Sequence, residues 1–186
     1  MRHRILATAV LLALLTGCQA PVPVPSGLPS VAPSPSPTPE PTPSSEPEPS
    51  LSDDLRPAYQ TVRNYLAAYD EWGANPTNDI SSVTQYTTDD AQSLISEILI
   101  GRFQEGIRVV GEPIYRGWQV STMDSLLDGT ARAKVELCSD NAKMTIVAKE
   151  DTRRPAVGSF FESYVLHQMP DKSWRIADYS NEEQRC

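Results

Sequence analysis

The residues best suited to chemistry are three cysteines and two histidines. Cys18 follows a basic start and an apolar run, whereas Cys138 and Cys186 fall late in the chain. A thiolate is a nucleophile and a metal ligand, and a pair of thiols can form a disulfide. His167 is the histidine that lies beyond the first few residues, and an imidazole can act as a general base.

The first residues have the layout of an export signal. Residues 1–4 include two arginines, and residues 5–15 are uncharged and almost wholly apolar. A helix needs about 20 apolar residues to cross a bilayer, so this shorter run is typical of a secretory signal peptide. The sequence therefore predicts a signal peptide over residues 1–17. No second apolar segment follows, so no other segment is expected to span a membrane.

Leu15-Thr16-Gly17-Cys18 resembles the lipobox of bacterial lipoproteins. The resemblance implies that the Cys18 thiol receives a diacylglyceryl group and that cleavage leaves Cys18 as the first residue. Acyl chains such as palmitate would then hold the protein, because two or more chains bind a membrane stably. The resemblance thus implies a lipid anchor at the extracytoplasmic face of the cell membrane. An ordinary signal peptide with a chance cysteine is the alternative.

A proline-rich segment follows the lipobox. Twelve of the 17 prolines lie within residues 21–49. Proline fixes φ and pushes the preceding residue to extended geometry, so residues 18–52 are predicted to be a semi-rigid, polyproline II tether. A ligand for a proline-binding module is the alternative. Residues 53–186 remain, and about 134 residues are enough for one core and too few for two.

The composition excludes several classes of partner. The formal net charge is −8, so the chain has no net attraction to nucleic acid or to an anionic membrane surface. The sequence has no Walker A, Gly-x-Gly-x-x-Gly or Gly-x-Ser-x-Gly pattern, and we expect no cofactor and no serine nucleophile. Two thiols without adjacent histidines do not supply four metal ligands, so we expect no metal.

Apolar spacings predict helices in the first half of the domain. Steps of three and four residues over 53–72 predict a helix that Ser52 would cap. Val83 marks a short turn of helix. A second long helix is predicted from Thr87 or the next residue, because Thr87-x-x-Asp90 approximates a capping box.

From Ile107 the apolar period changes to two, which is typical of strands. Tight turns such as Asp128-Gly129 favour antiparallel pairing, and residues 151–158 are predicted to be a polar loop. Helices followed by antiparallel strands predict an α+β fold. The candidate strands are 107–109, 118–120, 131–137, 144–148, 159–169 and 174–176.

This element order resembles the nuclear transport factor two-like fold, and the hairpin from Pro170 to Ile176, with Asp-Lys-Ser before Trp, is common in that superfamily. The resemblance implies a curved antiparallel sheet wrapped on its N-terminal helices as a cone, frequently with a cavity. The open sheet of this fold often pairs, so a homodimer is expected as one option. The chain as a whole is similar to small actinobacterial lipoproteins, which combine a lipobox, a proline-rich tether, one such domain and a late pair of cysteines.

Cys138 and Cys186 form an even pair in a domain expected to be exported, which favours a disulfide between them. Cys138 ends a predicted strand and Cys186 is the last residue of the sequence, so the bond would fasten that end to the sheet. The alternatives are two free thiols, or a bond from Cys186 to another chain.

His167 is the candidate catalytic base. In that interpretation it lies inside the cone and an Asp such as Asp178 orients it; the alternative is a structural histidine at the sheet surface or in the core. Arg153 and Arg154 are candidates for binding an anion or a polar partner, or are a solvated loop tip. Enzymes of the resembling superfamily, such as ketosteroid isomerases and polyketide cyclases, place an Asp or His in the cone, but no catalytic position can be matched here.

Two classes of function stay open. A binding or accessory module at the cell envelope would hold an apolar small molecule or dock an envelope protein, and predicts a cavity free of a buried acid–base pair or an exposed apolar sheet face. A small isomerase- or cyclase-like enzyme predicts His167 or an Asp deep in an apolar cavity with a shifted pKa. Aromatic residues would line that pocket or form plain core: Tyr59, Tyr65, Tyr69, Trp72, Phe160, Phe161, Tyr164 and Trp174.

Overall fold

A computed structural model describes residues 49–156 and 158–183. Cys18, Cys186, the predicted signal peptide and most of the tether lie outside the described residues. Three helices come first in the described chain: α1 (Arg56–Ala74), α2 (Ser81–Thr84) and α3 (Asp89–Glu105). None of these described helices is long and apolar enough to cross a membrane.

Seven strands follow within the described ranges and form two antiparallel sheets. The strands are β1 (Arg108–Val110), β2 (Ile114–Met123), β3 (Arg132–Asp140), β4 (Thr145–Val147), β5 (Arg153–Pro155), β6 (Ser159–Gln168) and β7 (Trp174–Glu183). The larger sheet has the order β2-β3-β6-β7, and the smaller has the order β1-β4-β5. The prediction of an α+β fold with N-terminal helices packed on an antiparallel sheet is confirmed, although the strands form two sheets where one was expected.

Helix α1 begins later than predicted because Pro57 lies in its first turn. The first amides of a helix have no partner within it, so proline costs least at that position. Leu55 is the N-cap and makes no side-chain cap hydrogen bond, so the prediction that Ser52 caps the helix is wrong. Ser52 contributes its carbonyl oxygen instead, which accepts from the Leu55 and Arg56 amides at 3.1 and 3.2 Å.

Backbone hydrogen bonds to strand β7, and not a capping box, fix the start of α3. Thr88 is the N-cap without a side-chain cap bond, and the Thr87 hydroxyl donates to the Thr84 carbonyl at 2.9 Å. The Thr88 amide donates to the Ile176 carbonyl on β7 at 2.8 Å, and the Ile176 amide donates to the Tyr86 carbonyl at 2.9 Å. The predicted capping box is therefore wrong, because these backbone bonds fix the entry to α3.

Strand β2 begins at Ile114 and ends at Met123, so it is longer than the predicted strand 118–120. Strand β2 runs through Gly117, which has φ of 67°, and the pairing with β3 shifts register between Arg116 and Gln119. A second shift between β6 and β7 falls at Val165 and Leu166. Such bulges bend strands and increase their twist.

The segment 151–158, predicted to be a loop, contains β5, which pairs with β4. All three β5 residues are exposed, so no apolar alternation marks the strand and only its backbone pairing defines it.

The connection from β1 to β2 passes close to the chain before β4. There Gly111 has φ of 117°, and a Cβ would lie 2.3 Å from the Lys143 carbonyl oxygen, so glycine is required.

The core lies between the helices and the inner face of the larger sheet. On β6, residues Glu162, Tyr164 and Leu166 are buried while those between them are half-buried, so Tyr164 and Leu166 share a face as the alternation predicts. The same alternation places the carboxyl group of Glu162 on the inner face. The core includes Val62, Val83, Leu99, Ala133, Val135 and Leu137, all 0% exposed.

Candidate functional site

A cavity of about 450 Å³ is lined by residues of α1, α3 and both sheets. The apolar part of its wall includes Leu66 on α1, Ile95 and Ile98 on α3, and Ile146 on β4. This volume lies within the range of roughly 300–1,000 Å³ that is usual for small-molecule sites, which are mostly apolar with a few polar groups. The polar groups in this wall therefore decide what the cavity can do.

Asp70 is the first of these polar groups. Its carboxylate accepts a hydrogen bond from the Tyr115 hydroxyl, which lies 3.0 Å from each carboxylate oxygen. Burial raises the pKa of Asp70 to about 6; the hydrogen bond from Tyr115 opposes this rise and the nearby charge of Glu162 adds to it. Asp70 thus titrates close to neutral pH inside the cavity.

Glu162 is the second carboxyl of the cavity and is buried, at 9% exposure. The hydroxyl of Tyr164, two residues further along β6 on the same face, donates to Glu162 Oε2. Burial raises the pKa of Glu162 above its ordinary value, and hydrogen bonding with Ser139 and Tyr164 opposes that rise. The wall of the cavity is therefore not purely apolar, since it contains two carboxyl groups.

Tyrosine rings surround the two carboxyls. The Tyr164 ring centroid lies 5.8 Å from that of Tyr65 and 5.1 Å from that of Tyr179. The guanidinium carbon of Arg102 lies 5.3 Å from the centroid of the Tyr69 ring, a distance typical of cation–π contacts. Burial raises the pKa of Tyr65 and Tyr69, so these hydroxyls remain neutral hydrogen-bond donors.

His167 lies away from this cavity. Its Nδ1 atom is 3.3 Å from Oδ2 of Asp89, at the start of α3, and it is not among the residues that line the cavity. The carboxylate beside it is thus that of Asp89 and not that of Asp178, as the catalytic interpretation had it. A side-chain contact between β6 and α3 accounts for this histidine.

The two arginines of the 151–158 segment lie differently. The Arg153 guanidinium contacts the Asp151 carboxylate at 3.4 Å, whereas Arg154 lines the cavity and is exposed.

Cys138 is 5% exposed on β3, while its predicted partner Cys186 lies outside the described residues, so the disulfide stays a prediction. Across residues 49–156 and 158–183, no group of three or more His, Cys, Asp or Glu could hold a metal ion.

The aromatic residues divide between cavity and core. Tyr65, Tyr69, Phe160 and Tyr164 line the cavity, whereas Tyr59, Trp72 and Trp174 do not and are buried.

Sequence reasoning missed both acids, although each had a trace in the sequence. Asp70 lies four residues after Leu66, which places it beside the apolar face of α1. Glu162 lies two residues before Tyr164, on the inner face of a strand. A carboxyl group at a core position was the feature that could have identified them.

No protein-family model matches this chain, and a search of curated proteins gave no significant match. Among solved structures, the intermembrane space region of the chloroplast protein ARC6 is 13% identical, with a TM-score of 0.50 over 73% of this chain and 100% of that one. A ketosteroid isomerase-like protein from Erwinia carotovora atroseptica is 19% identical, with a TM-score of 0.49 over 70% and 96%. ActVI-ORFA from Streptomyces coelicolor is 12% identical, with a TM-score of 0.44 over 69% and 96%. The likeness to the ARC6 region concerns the fold alone, so the chemistry of this cavity has to be derived from its own residues.

Proposed function

We propose that this chain is a lipid-anchored protein of the extracytoplasmic membrane face whose domain binds a small molecule in the cavity. The cavity of about 450 Å³ is the observation that carries the binding function. The lipobox and the proline-rich segment support the anchor and a tether that holds the domain away from the membrane. Docking of an envelope protein has no comparable support from the described residues.

Filling the cavity with a larger side chain is expected to weaken ligand binding strongly. Ile98 lines the cavity from α3 and is half-buried, so Ile98→Trp would place an indole ring in the space that a ligand needs. With the neutral apolar dye N-phenylnaphthylamine as the probe, we expect at least about tenfold weaker binding, a loss of about 1.4 kcal/mol. Fluorescence titration of residues 49–186, which include every described helix and strand, measures this loss.

Leu94→Trp is the matched control for this experiment. Leu94 lies on the same helix, is 42% exposed and does not line the cavity, so dye affinity should stay at the wild-type value. Equal dye affinity in Ile98→Trp and wild type would contradict the proposed binding site.

Asp70 favours a second candidate function, a small enzyme that moves a proton. A general base works best when its pKa is close to the working pH, and burial brings the pKa of Asp70 to about 6. The Tyr115 hydroxyl beside it could donate a hydrogen bond to a substrate oxygen. Together these groups suit abstraction of a proton next to a carbonyl group.

Exchange of acidic C–H protons tests this second function. With cyclohex-2-enone in D₂O, the wild-type domain should speed deuterium incorporation, and Asp70→Asn should lower that rate by about 100-fold or more. The exposed Asp90 of α3 offers a matched change of charge, so Asp90→Asn should retain the rate. Exchange no faster than in buffer, as followed by proton NMR, would exclude this function for that substrate class.

A further inference from the structure

The cavity combines aromatic rings with two acids, the buried Glu162 and the half-buried Asp70. Tyr115 lies against Asp70, and Tyr164 lies against Glu162. Ring faces carry negative electrostatic potential and attract cations. The six aromatic residues of the wall are Tyr65, Tyr69, Tyr115, Phe160, Tyr164 and Tyr179.

Neither acid is neutralised by a cation of the protein. Among residues 49–156 and 158–183, no ion pair involves Asp70 or Glu162. Asp70 accepts a hydrogen bond from the neutral hydroxyl of Tyr115 and Glu162 from that of Tyr164, and the neutral hydroxyl of Ser139 also acts on Glu162. A buried carboxylate without a countercharge is costly, and this cost raises the pKa of both groups.

The arginines of the cavity wall are placed elsewhere. Arg102 lies over the ring of Tyr69, where it lowers the pKa of that tyrosine against the larger effect of burial. Arg154 is exposed on β5, at the outer part of the wall. Both arginines thus line the cavity, but within the described residues neither forms an ion pair with Asp70 or Glu162.

We propose that the ligand is a small organic cation, an amine or a quaternary ammonium compound. The proposal rests on the proposed function, because it names the chemical class of the molecule that enters the same cavity. Such a cation would place its charge beside the Asp70 and Glu162 carboxylates and its methyl or methylene groups against the tyrosine rings. Cation–π contacts are strongest where the cation is shielded from water, and apolar groups would occupy the rest of the wall.

Three probes of similar shape and different charge test this proposal. Choline, the neutral 3,3-dimethylbutan-1-ol and the anionic 3,3-dimethylbutanoate are each titrated by calorimetry into the domain of residues 49–186. We expect choline to bind at least about tenfold more tightly than the alcohol, and the carboxylate to bind most weakly. Asp70→Asn and Glu162→Gln should each remove this preference for choline over the alcohol.

Asp90→Asn is the control, since it removes an exposed carboxyl from α3 with the same change of net charge, and it should retain the preference. Equal affinity for choline and the alcohol, tighter binding of the carboxylate, or no binding of choline would each overturn the proposal. The dye titration separates this failure from failure of the proposed function, because the dye would still bind the wild-type cavity and be excluded by Ile98→Trp.

Discussion

Replacing Asp70 by Asn is expected to stabilise the domain above about pH 7 by about 2 kcal/mol. The folded-state pKa of Asp70 is about 6 against an ordinary value of 3.8, so the folded protein holds this proton more tightly than the unfolded chain. The stabilisation that this proton gives is complete below the unfolded pKa and is lost as the pH rises through the folded pKa. Near pH 4 the two proteins should therefore unfold with nearly equal free energy.

Urea unfolding of both proteins between about pH 4 and pH 8 measures this difference. The figure of about 2 kcal/mol is smaller than the full pKa difference would give, because part of the Asp70 side chain is open to solvent. Asp90→Asn should leave the pH profile of the wild type unchanged. If the free energies of unfolding of wild type and Asp70→Asn changed with pH in parallel, burial of the Asp70 carboxylate would not destabilise the folded domain.

Replacing Cys18 by Ser is expected to abolish lipid attachment completely. The lipid is transferred to a thiol, and a serine hydroxyl is a far weaker nucleophile at neutral pH. Cells given alkyne-tagged palmitate should label the wild-type protein and not Cys18→Ser. The intact mass of the variant should correspond to a precursor that keeps residues 1–17.

Cys186→Ser is the control for that experiment, since it also removes one thiol and should retain the label. Normal labelling of Cys18→Ser would contradict the lipid anchor and would favour an ordinary signal peptide. The ligand-binding experiments are independent of this result, because they use the domain without residues 1–48.

Most elements of the fold could be predicted because their sequence periods are local. The spacing of three and four residues in α1, and the alternation around Tyr164 in β6, follow from backbone geometry alone. The predicted side-chain caps of α1 and α3 were wrong, because backbone hydrogen bonds that involve Ser52 and Ile176 are made there instead. Strand β5 was missed because its residues are all exposed, so no alternation distinguishes it from a loop.

The candidate site was harder to predict, because its parts come from distant places in the chain. Sequence reasoning offered His167 as a catalytic candidate, beside the alternative of a structural histidine, because it was conspicuous as the domain's one histidine. It lies beside Asp89 and does not line the cavity. Asp70 and Glu162 are ordinary acids in sequence, where acids are common. They became candidates only when the tertiary structure showed that both line one cavity.

The sequence by itself determined the export-like start, the proline-rich segment, the acidic charge and the order of helices and strands. Each of these depends on composition or on residues within a few positions of one another. The tertiary structure alone decided which carboxyl groups lie together in the cavity wall. Asp70 and Tyr115 are 45 residues apart in sequence, and their hydrogen bond forms because α1 packs next to the start of β2. That approach also removes part of the Asp70 carboxyl from water, and this partial burial is the main cause of its raised pKa.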